Sequence, residues 1–283
     1  MQEASNSAHW LPKETAPAGN PHMGDRFAQV YELTAHRITG PVAVQALRLA
    51  GPIDARTRIL DIAAGAGALS IPAAFGGANV TAVDIAPGMV NLLSERLAPF
   101  PNAQAAVMDG QALAIDDDSF DLAFSIFGVS LFGDWRTGLS EQVRVLRPGG
   151  MACIATWKTP PGGGPFLVMG KAIRAVFPEN KPPAPPEGFL ALSDASRIVS
   201  ELEAAGLADV RVIEVQAVWQ GKAGQAYLHE LHDLHRFMPP YAALDEQGRR
   251  EVDQAILRTL DAYTVGDRTY MVSPVLIATG TKP

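Results

Sequence analysis

The chain has 283 residues, of which 47% are apolar and 19% charged, so it has ample material for one large α/β domain with an added cap. Its net charge of −7 and the lack of any Lys/Arg run disfavour a nucleic-acid substrate, because basic residues supply most of the affinity for phosphates. With one cysteine, Cys153, an internal disulfide is excluded, and no apolar run reaches the roughly 20 residues of a membrane span. The first residues have neither the basic start nor the apolar stretch of a secretory signal, which predicts a cytoplasmic protein.

The beginning of the chain predicts a tail followed by helices. Residues 1–22 are rich in Ala, Pro, Asn, Ser and Thr without periodicity, which is typical of a disordered tail. Residues 23–56 are predicted to form N-terminal cap helices, since apolar positions recur there at helical spacing. Gly40-Pro41 is expected to divide this stretch into two helices.

From residue 57 onwards, strand and helix patterns alternate. This alternation predicts an α/β fold: a seven-strand Rossmann-like, doubly wound parallel sheet with its core in residues 57–219 and its final strand in residues 269–283. The predicted strands are Thr57–Ile62, Asn79–Val83, Ala103–Met108, Phe120–Phe127, Met151–Trp157, Val210–Trp219 and Met271–Thr279. The predicted helices are Leu69–Phe75, Pro87–Leu97, Trp135–Leu146, Phe166–Val176 and Ser193–Ala205, the last with Ser193 as N-cap.

Residues 220–268 separate the last two strands and predict a helical cap insert. The expected helices are Gln225–Phe237 and Asp245–Tyr263, and each has an apolar stripe that must be buried. Nothing after the seventh strand is long enough to cross back, so strands six and seven are expected to be antiparallel neighbours at the sheet edge. The insert, together with the N-terminal helices, is then expected to cover the acceptor pocket and to exclude water from it.

The sharpest motif is Ile-Leu-Asp-Ile-Ala-Ala-Gly-Ala-Gly-Ala-Leu at residues 59–69. A strand ends in Asp61, turns through small residues and enters a helix, so the backbone can approach a ligand closely. The dinucleotide fingerprint G-x-G-x-x-G fails, because Ser70 stands at its third glycine when the count starts at Gly65.

Two further acids follow the second and third predicted strands. Asp84 stands where a carboxylate can accept both ribose hydroxyls of an adenosine. Asp109 stands where an acceptor suits the exocyclic amine of adenine. Farther along, Leu146-Arg147-Pro148-Gly149-Gly150 ends a helix and begins a strand.

In this order and spacing, the motifs resemble the class I S-adenosylmethionine (SAM) dependent methyltransferases. Within these they are most similar to the small-molecule branch with the ubiquinone/menaquinone methyltransferase-like family. The resemblance is strong over about residues 25–160, and Ala63 departs from it where the family usually has Gly. It implies SAM as cofactor, S-adenosylhomocysteine (SAH) as product, a small-molecule methyl acceptor as partner, and no metal. The cofactor-binding residues that it implies are Tyr31, Asp61, Ala63, Gly65, Ala66, Gly67, Asp84, Ile85, Met89, Asp109, Gly110, Gln111 and Ser125.

Candidate acceptor residues come from the N-terminal helix, the loop after strand four and the insert. His229 and His232 share a predicted helical face, and one of them is a candidate general base facing the pocket. The alternatives are a solvated face and a metal site, although a three-residue step groups metal ligands poorly.

Four hypotheses of function remain open. The leading one is a methyltransferase for a small, fairly apolar metabolite. A quinone-type C-methyltransferase ranks second, because residues 26–31 lack the Asn and Ser/His pattern of that group. The others are an NAD(P)-dependent oxidoreductase and a non-catalytic SAM-binding protein. A homodimer is left open.

Overall fold

The computed structural model describes residues 20–159, 162–179 and 184–283. Of the tail predicted for residues 1–22, residues 1–19 lie outside the described residues. Its last residues are ordered: Pro21–Met23 forms a 3-10 turn, in which the Asn20 side chain accepts a hydrogen bond from the His22 backbone N–H.

One mixed sheet forms the centre of the molecule. Its strands are β1 Arg58–Ile62, β2 Asn79–Asp84, β3 Ala103–Val107, β4 Phe120–Ile126, β5 Leu146–Trp157, β6 Ala208–Lys222, β7 Thr264–Val265 and β8 Arg268–Thr281. They lie in the order β3-β2-β1-β4-β5-β8-β6. The strands from β3 to β5 pair in parallel, whereas β8 is antiparallel to both of its neighbours. The predicted fold is confirmed, and the short β7, which pairs with β8, raises the strand number to eight.

Helices cover both faces of this sheet. They are α1 Asp25–Thr34, α2 His36–Leu49, α3 Ser70–Phe75, α4 Pro87–Leu97, α5 Trp135–Arg144, α6 Pro165–Val176, α7 Glu187–Ala191, α8 Ala195–Ala204, α9 Gln225–Glu230, α10 His232–Phe237, α11 Pro239–Ala242 and α12 Glu246–Leu260. Because successive strand residues point to opposite faces, Ile59 and Leu60 enter different cores. Ile59 joins the core beneath α2, α6 and α12, and Leu60 joins the core beneath α5 and α8.

The boundary between the first two helices differs from the prediction. The break lies at Ala35, and α2 runs straight through Pro41, so the prediction of a break at Gly40-Pro41 was wrong. Pro41 cannot donate a hydrogen bond to the carbonyl of Arg37 and so weakens the helix. Burial of α2 on both sides of Pro41 offsets this loss, since Ile38 and Val42 are buried in the same core.

Two further helix boundaries also shift. The predicted helix Gln225–Phe237 is broken at Leu231 into α9 and α10. The N-cap of α8 is Asp194, whose side chain accepts a hydrogen bond from the Arg197 N–H, and not the predicted Ser193.

The last long strands form an antiparallel ribbon that carries the cap, defined here as residues 223–267. β6 and β8 pair continuously from Arg211 to Lys222, which confirms the predicted antiparallel pair. At the end of this ribbon the chain leaves the sheet and forms α9 to α12. In the cap, α10 contacts α1 and α12 contacts α6. The cap and the N-terminal helix therefore meet on one side of the sheet.

Candidate functional site

The turn after β1 has an unusual backbone shape. Ala63 (φ 58°), Gly65 (φ 54°) and Gly67 (φ 93°) are all left-handed, a conformation that is strained only for the alanine. A Cβ at Gly67 would lie 2.5 Å from Leu93 Cδ1, so a larger residue there would also force the Leu93 side chain to shift. The small residues of the motif therefore shape a narrow turn at the carboxyl end of β1.

Two buried acids line this turn. Asp84 Oδ2 accepts the Gly65 N–H at 2.8 Å, and its Oδ1 accepts the Ala86 N–H at 2.9 Å. Asp61 Oδ2 accepts a hydrogen bond from Ser70 Oγ at 2.6 Å. Burial raises the pKa of Asp61 to about 7, and the nearby charge of Asp84 contributes to this rise. Burial also raises the pKa of Asp84. Asp84 thus fixes the turn, and Asp61 holds its proton into the neutral pH range.

The raised pKa of Asp61 predicts a pH-dependent stability. In the unfolded chain this carboxyl loses its proton near pH 4, whereas in the fold it keeps the proton up to about pH 7. Folding therefore binds a proton between these values, and the free energy of unfolding should fall as the pH rises from 4 to 7. Above about pH 7, the pKa of Asp61 in the folded protein, the stabilisation from the bound proton is lost. Asn at this position does not titrate. Relative to Asp61→Asn, we therefore expect the wild type to lose about 2 kcal/mol of unfolding free energy between pH 5 and pH 8, measured by urea unfolding of both proteins at both pH values. An equal difference at both pH values would contradict the assignment.

A third acid lies beside them at the same edge of the sheet. Asp109 Oδ1 accepts hydrogen bonds from the backbone N–H of Gln111 at 2.9 Å and from its side-chain amide at 3.1 Å. Gln111 Oε1 in turn accepts the Asp134 N–H at 2.6 Å. A Cβ at Gly110 would lie 2.6 Å from Phe132 Cζ. The loop after β3 is therefore tied to the loop after β4.

The end of β4 forms a tight turn against the Ala63 turn. Ser125 is buried, and its Oγ accepts the Val129 N–H at 2.9 Å, so this predicted cofactor residue already stabilises the turn. Phe127 has φ 62°, and its ring stacks on Trp157 with the ring centroids 4.6 Å apart.

Gly128 allows these two turns to touch. A Cβ at Gly128 would overlap Ala63 Cβ and would lie 2.8 Å from Ser125 Oγ. Overpacking of this kind costs about 1–3 kcal/mol, so we expect Gly128→Ala to lower the free energy of unfolding by that amount in urea titration. Ala63→Gly removes both the strained side chain and one clash partner, so the double variant should be more stable than Gly128→Ala alone. Strictly additive effects would show that the two turns do not constrain each other.

Helix α1 lies over the β1 turn. Its Phe27 and Tyr31 pack on a small cluster that contains Ala66, Ala86 and Met89. Met89 is therefore buried under α1, and Ile85 beside it is half-buried. Burial raises the pKa of Tyr31 to about 12, and the charges of Asp84 and Glu32 add to this effect. Tyr31 is consequently a neutral phenol beside the turn.

Glu32 is a cleft residue that the sequence reasoning missed. Its Oε1 pairs with Arg96 Nη1 at 2.6 Å, and Arg96 Nη1 also donates to the Ala66 carbonyl. Its Oε2 is buried and has no hydrogen-bond partner among the described residues; His36 Nδ1 lies 3.5 Å away. A buried carboxylate oxygen without a donor is costly, and a cationic amine would satisfy it. The spacing of Glu32 and His36, four residues apart on a predicted helix, was the available signal.

The predicted histidines lie at the protein surface. His229 and His232 are both exposed and neither lines the pocket at the β1 turn, and the expectation that one of them is a general base stays a prediction. The buried histidine of this segment is His235, which is 2% exposed. It follows Leu231 by four residues and precedes Met238 by three, so the apolar stripe itself pointed to it.

A separate groove of about 420 Å³ lies between α2 and the β6–β8 ribbon. It is lined by Arg37, Glu230, Lys222 and Arg268, but Arg37 Nη2 and Glu230 Oε1 already pair at 2.9 Å. In the part of the chain that the structure describes, no three His, Cys, Asp or Glu side chains form a metal-ligating cluster. Nor does any helix in the described ranges combine the length and apolar character needed to cross a bilayer.

Known proteins are similar to this chain both in sequence and in fold. A family model described as a methyltransferase domain matches residues 59–150. A demethylmenaquinone methyltransferase of Clavibacter sepedonicus is 41% identical over 133 residues, which are 47% of this chain and 49% of that protein. A demethylmenaquinone methyltransferase of Mycolicibacterium gilvum is 30% identical over 212 residues, 68% of this chain and 89% of that protein. The chain thus spans about half the length of the first curated relatives that it matches, and most of the length of the Mycolicibacterium gilvum protein.

The likeness in fold extends to solved structures. Phosphoethanolamine N-methyltransferase 2 of Haemonchus contortus, solved in complex with S-adenosyl-L-methionine, matches 93% of this chain and 58% of that chain. Its TM-score is 0.55 and its sequence identity 18%, so this match concerns the fold alone.

Proposed function

This chain belongs to the class I SAM-dependent methyltransferases of the quinone-methyltransferase-like type, and from that membership we propose that it transfers a methyl group from SAM to a small-molecule acceptor. One observation of the structure carries the proposal. Asp84 holds the Gly65 N–H at the carboxyl edge of the parallel strands, which is where open α/β sheets bind nucleotides.

The residues at this edge fit SAM. Each oxygen of Asp84 accepts one backbone N–H and keeps a lone pair for a ribose hydroxyl. Asp109 would accept a hydrogen bond from the exocyclic amine of the adenine ring. Glu32 Oε2, which has no hydrogen-bond partner among the described residues, would accept a hydrogen bond from the amino group in the methionine part of SAM. SAM supplies the methyl group on a positively charged sulfur, and neutral SAH remains after transfer.

The chain contributes position and the exclusion of water. Tyr31 and Phe27 on α1 cover the turn that Asp61 and Asp84 line, so solvent is kept from that end of the cleft. Phe127 and Trp157 stack at the end of β4, where they offer an aromatic surface to the acceptor. Correct alignment of two reactants can lower a barrier by several kcal/mol, about 7–11 at most.

For the acceptor we propose a chemical class, a small molecule. A quinone-type carbon acceptor is the second candidate, and the names of the relatives from Clavibacter sepedonicus and Mycolicibacterium gilvum favour it. A cytoplasmic location and a homodimer are also proposals. Analytical ultracentrifugation of the full chain would decide the oligomeric state.

Calorimetric titration with SAM, SAH and NADH tests the cofactor. We expect SAM and SAH to bind at micromolar concentration or below and NADH not to bind; tighter binding of NADH would overturn the assignment. Transfer of a radiolabelled methyl group from SAM to 1,4-dihydroxynaphthalene or to a simple phenol would then distinguish an enzyme from a non-catalytic SAM-binding protein.

A further inference from the structure

Two basic residues face each other where the cap joins the ribbon. Lys222 is the last residue of β6, Arg268 is the first of β8, and the two are register partners; we call them the basic pair. The Lys222 N–H donates to Glu230 Oε2 at 3.0 Å and not to β8, so the basic pair is of the non-hydrogen-bonded type, in which opposite side chains approach most closely. The Cβ atoms of residues directly opposite each other are about 4.5–5.5 Å apart. Two positive side chains are therefore held side by side.

No described carboxylate contacts either charge of the basic pair. In residues 20–159, 162–179 and 184–283, neither Lys222 Nζ nor the Arg268 guanidinium forms an ion pair or a hydrogen bond. Like charges directly opposite each other destabilise a pair of strands. The arrangement is therefore unfavourable in the protein alone, and an anion bound between the two side chains would make it favourable.

Glu230, the acid that lines the same groove, is already occupied. Its Oε1 pairs with Arg37 Nη2 at 2.9 Å, and its Oε2 accepts the Lys222 N–H. Arg37 Nη1 in turn donates to the Gln220 carbonyl at 3.2 Å. Because the charges of Arg37 and Glu230 offset each other, the groove keeps the positive charge of the basic pair. In a chain with a net charge of −7, such a local positive site attracts anions from solution.

The groove beside the basic pair has room for more than a single ion. Its volume of about 420 Å³ lies within the range of about 300–1,000 Å³ that is usual for ligand pockets. Pro41, Val218 and Gly221 line it together with the charged residues. The groove therefore fits a molecule with an anionic group at one end and an uncharged body that packs on Pro41 and Val218.

This groove also lies where the cap begins and ends. Next to the basic pair, the Ala223 N–H donates to the Asp267 carbonyl at 3.0 Å. Gly224 (φ 57°) and Gly266 (φ 62°) then take the chain away from the ribbon in the left-handed conformation. Apart from its chain neighbours, no described atom lies within 4 Å of a Cβ built at either glycine, so conformation and not packing favours glycine there. A ligand on the basic pair would connect the two ends of the cap.

We propose that the groove binds an anionic metabolite whose phosphate or carboxylate group lies between Lys222 and Arg268 and so connects the two ends of the cap. This inference does not depend on the methyltransferase function proposed above. The planar guanidinium of Arg268 can donate two parallel hydrogen bonds to either group, and the ammonium of Lys222 adds a compact positive charge.

Calorimetric titration of the full chain with glycerol 3-phosphate, succinate and glycerol tests the inference. NaCl sets the same ionic strength in each titration, because interactions of exposed charges weaken with salt. We expect glycerol 3-phosphate or succinate to bind at millimolar concentration or below, and glycerol not to bind. The tighter of the two anions identifies phosphate or carboxylate as the group that is recognised. If neither anion binds, the inference is wrong.

Variants of the basic pair locate the site. We expect Lys222→Gln and Arg268→Gln each to weaken binding of the preferred anion at least tenfold. Arg211→Gln is the matched control and should keep the wild-type affinity, because Arg211 is exposed on the same strand but lies opposite Thr279 and outside the groove. If Arg211→Gln weakens binding as much as Arg268→Gln, the anion responds only to the total charge, and the site is wrong.

Two further measurements distinguish a binding role from a structural one. Without ligand, Arg268→Gln should keep or raise the melting temperature, because it removes the repulsion within the basic pair; a lower melting temperature would show that Arg268 stabilises the fold. At saturating anion, amide hydrogen exchange should become slower in residues 220–224 and 266–269 and stay unchanged in β1. Slower exchange only in other parts of the chain would place the ligand outside the groove.

Discussion

Asp84→Asn is expected to weaken SAH binding about 30- to 150-fold. The Asn side chain has one acceptor oxygen and one donor group, so it cannot accept both the Gly65 and the Ala86 N–H as the carboxylate does. It also loses the charge that strengthens hydrogen bonds to ribose hydroxyls. Together these losses amount to about 2–3 kcal/mol. Calorimetric titration with SAH measures the effect directly.

Asp121→Asn is a matched control for this experiment. Asp121 is also a strand acid that accepts a backbone N–H, that of Arg58, but it lies near the beginning of β4 at the opposite end of the strands. We expect this variant to lower the melting temperature and to leave SAH affinity unchanged. If instead Asp84→Asn lowers only the melting temperature, Asp84 has a structural role and its assignment to the ribose is wrong.

Gly88→Ala is expected to displace α1 and to weaken SAH binding at least tenfold. A Cβ at Gly88 would lie 2.5 Å from Asp25 N and would overlap the backbone of Gly24. A backbone segment cannot turn aside as a flexible side chain can, so the beginning of α1 must move. Because α1 carries Tyr31 and Glu32 over the cleft, both should lose their positions. The weaker packing of the displaced helix should appear as faster amide hydrogen exchange in residues 25–34, while β1 stays protected.

Gly170→Ala serves as the control for adding a methyl group. Gly170 lies inside α6, and apart from its chain neighbours and the backbone of its own helix no described atom lies within 4 Å of a Cβ built there. Alanine is preferred over glycine in a helix by about 1 kcal/mol, so this variant should be as stable as the wild type or more stable. Normal SAH affinity in Gly88→Ala would show that α1 is not needed for the cofactor.

The edge of the sheet that we propose binds SAM could be described from the sequence because its signal is local. Asp61, Asp84 and Asp109 each follow a predicted strand, and the parallel arrangement brings the ends of these strands to one edge. The structure places the three acids there, while their contacts with SAM stay predictions. Glu32 could not be predicted in the same way, because its partner Arg96 is a tertiary neighbour from α4.

The acceptor side was harder to predict because helix faces depend on unbroken helices. The pattern of residues 225–237 was interpreted as one helix, which put His229 and His232 on a common face. At Leu231 (φ −104°, ψ 9°) the helix breaks, and α10 begins with a new phase. His235 then joins the buried stripe, whereas both predicted histidines point to solvent. A break of this kind depends on packing against the ribbon and against α1, which local sequence does not encode.

The position of β8 between β5 and β6 has a consequence for the nascent chain. On the ribosome, β5 is complete before residues 158–267 are made, and only residues after these provide its second neighbour. Until then its apolar residues Ala152 to Ala155 border an unpaired edge, the kind of surface on which chains associate wrongly. The parallel half of the sheet, β1 to β5, is therefore synthesised first and stays open along one side for the whole synthesis of the cap. Chaperone dependence should be greatest in this interval.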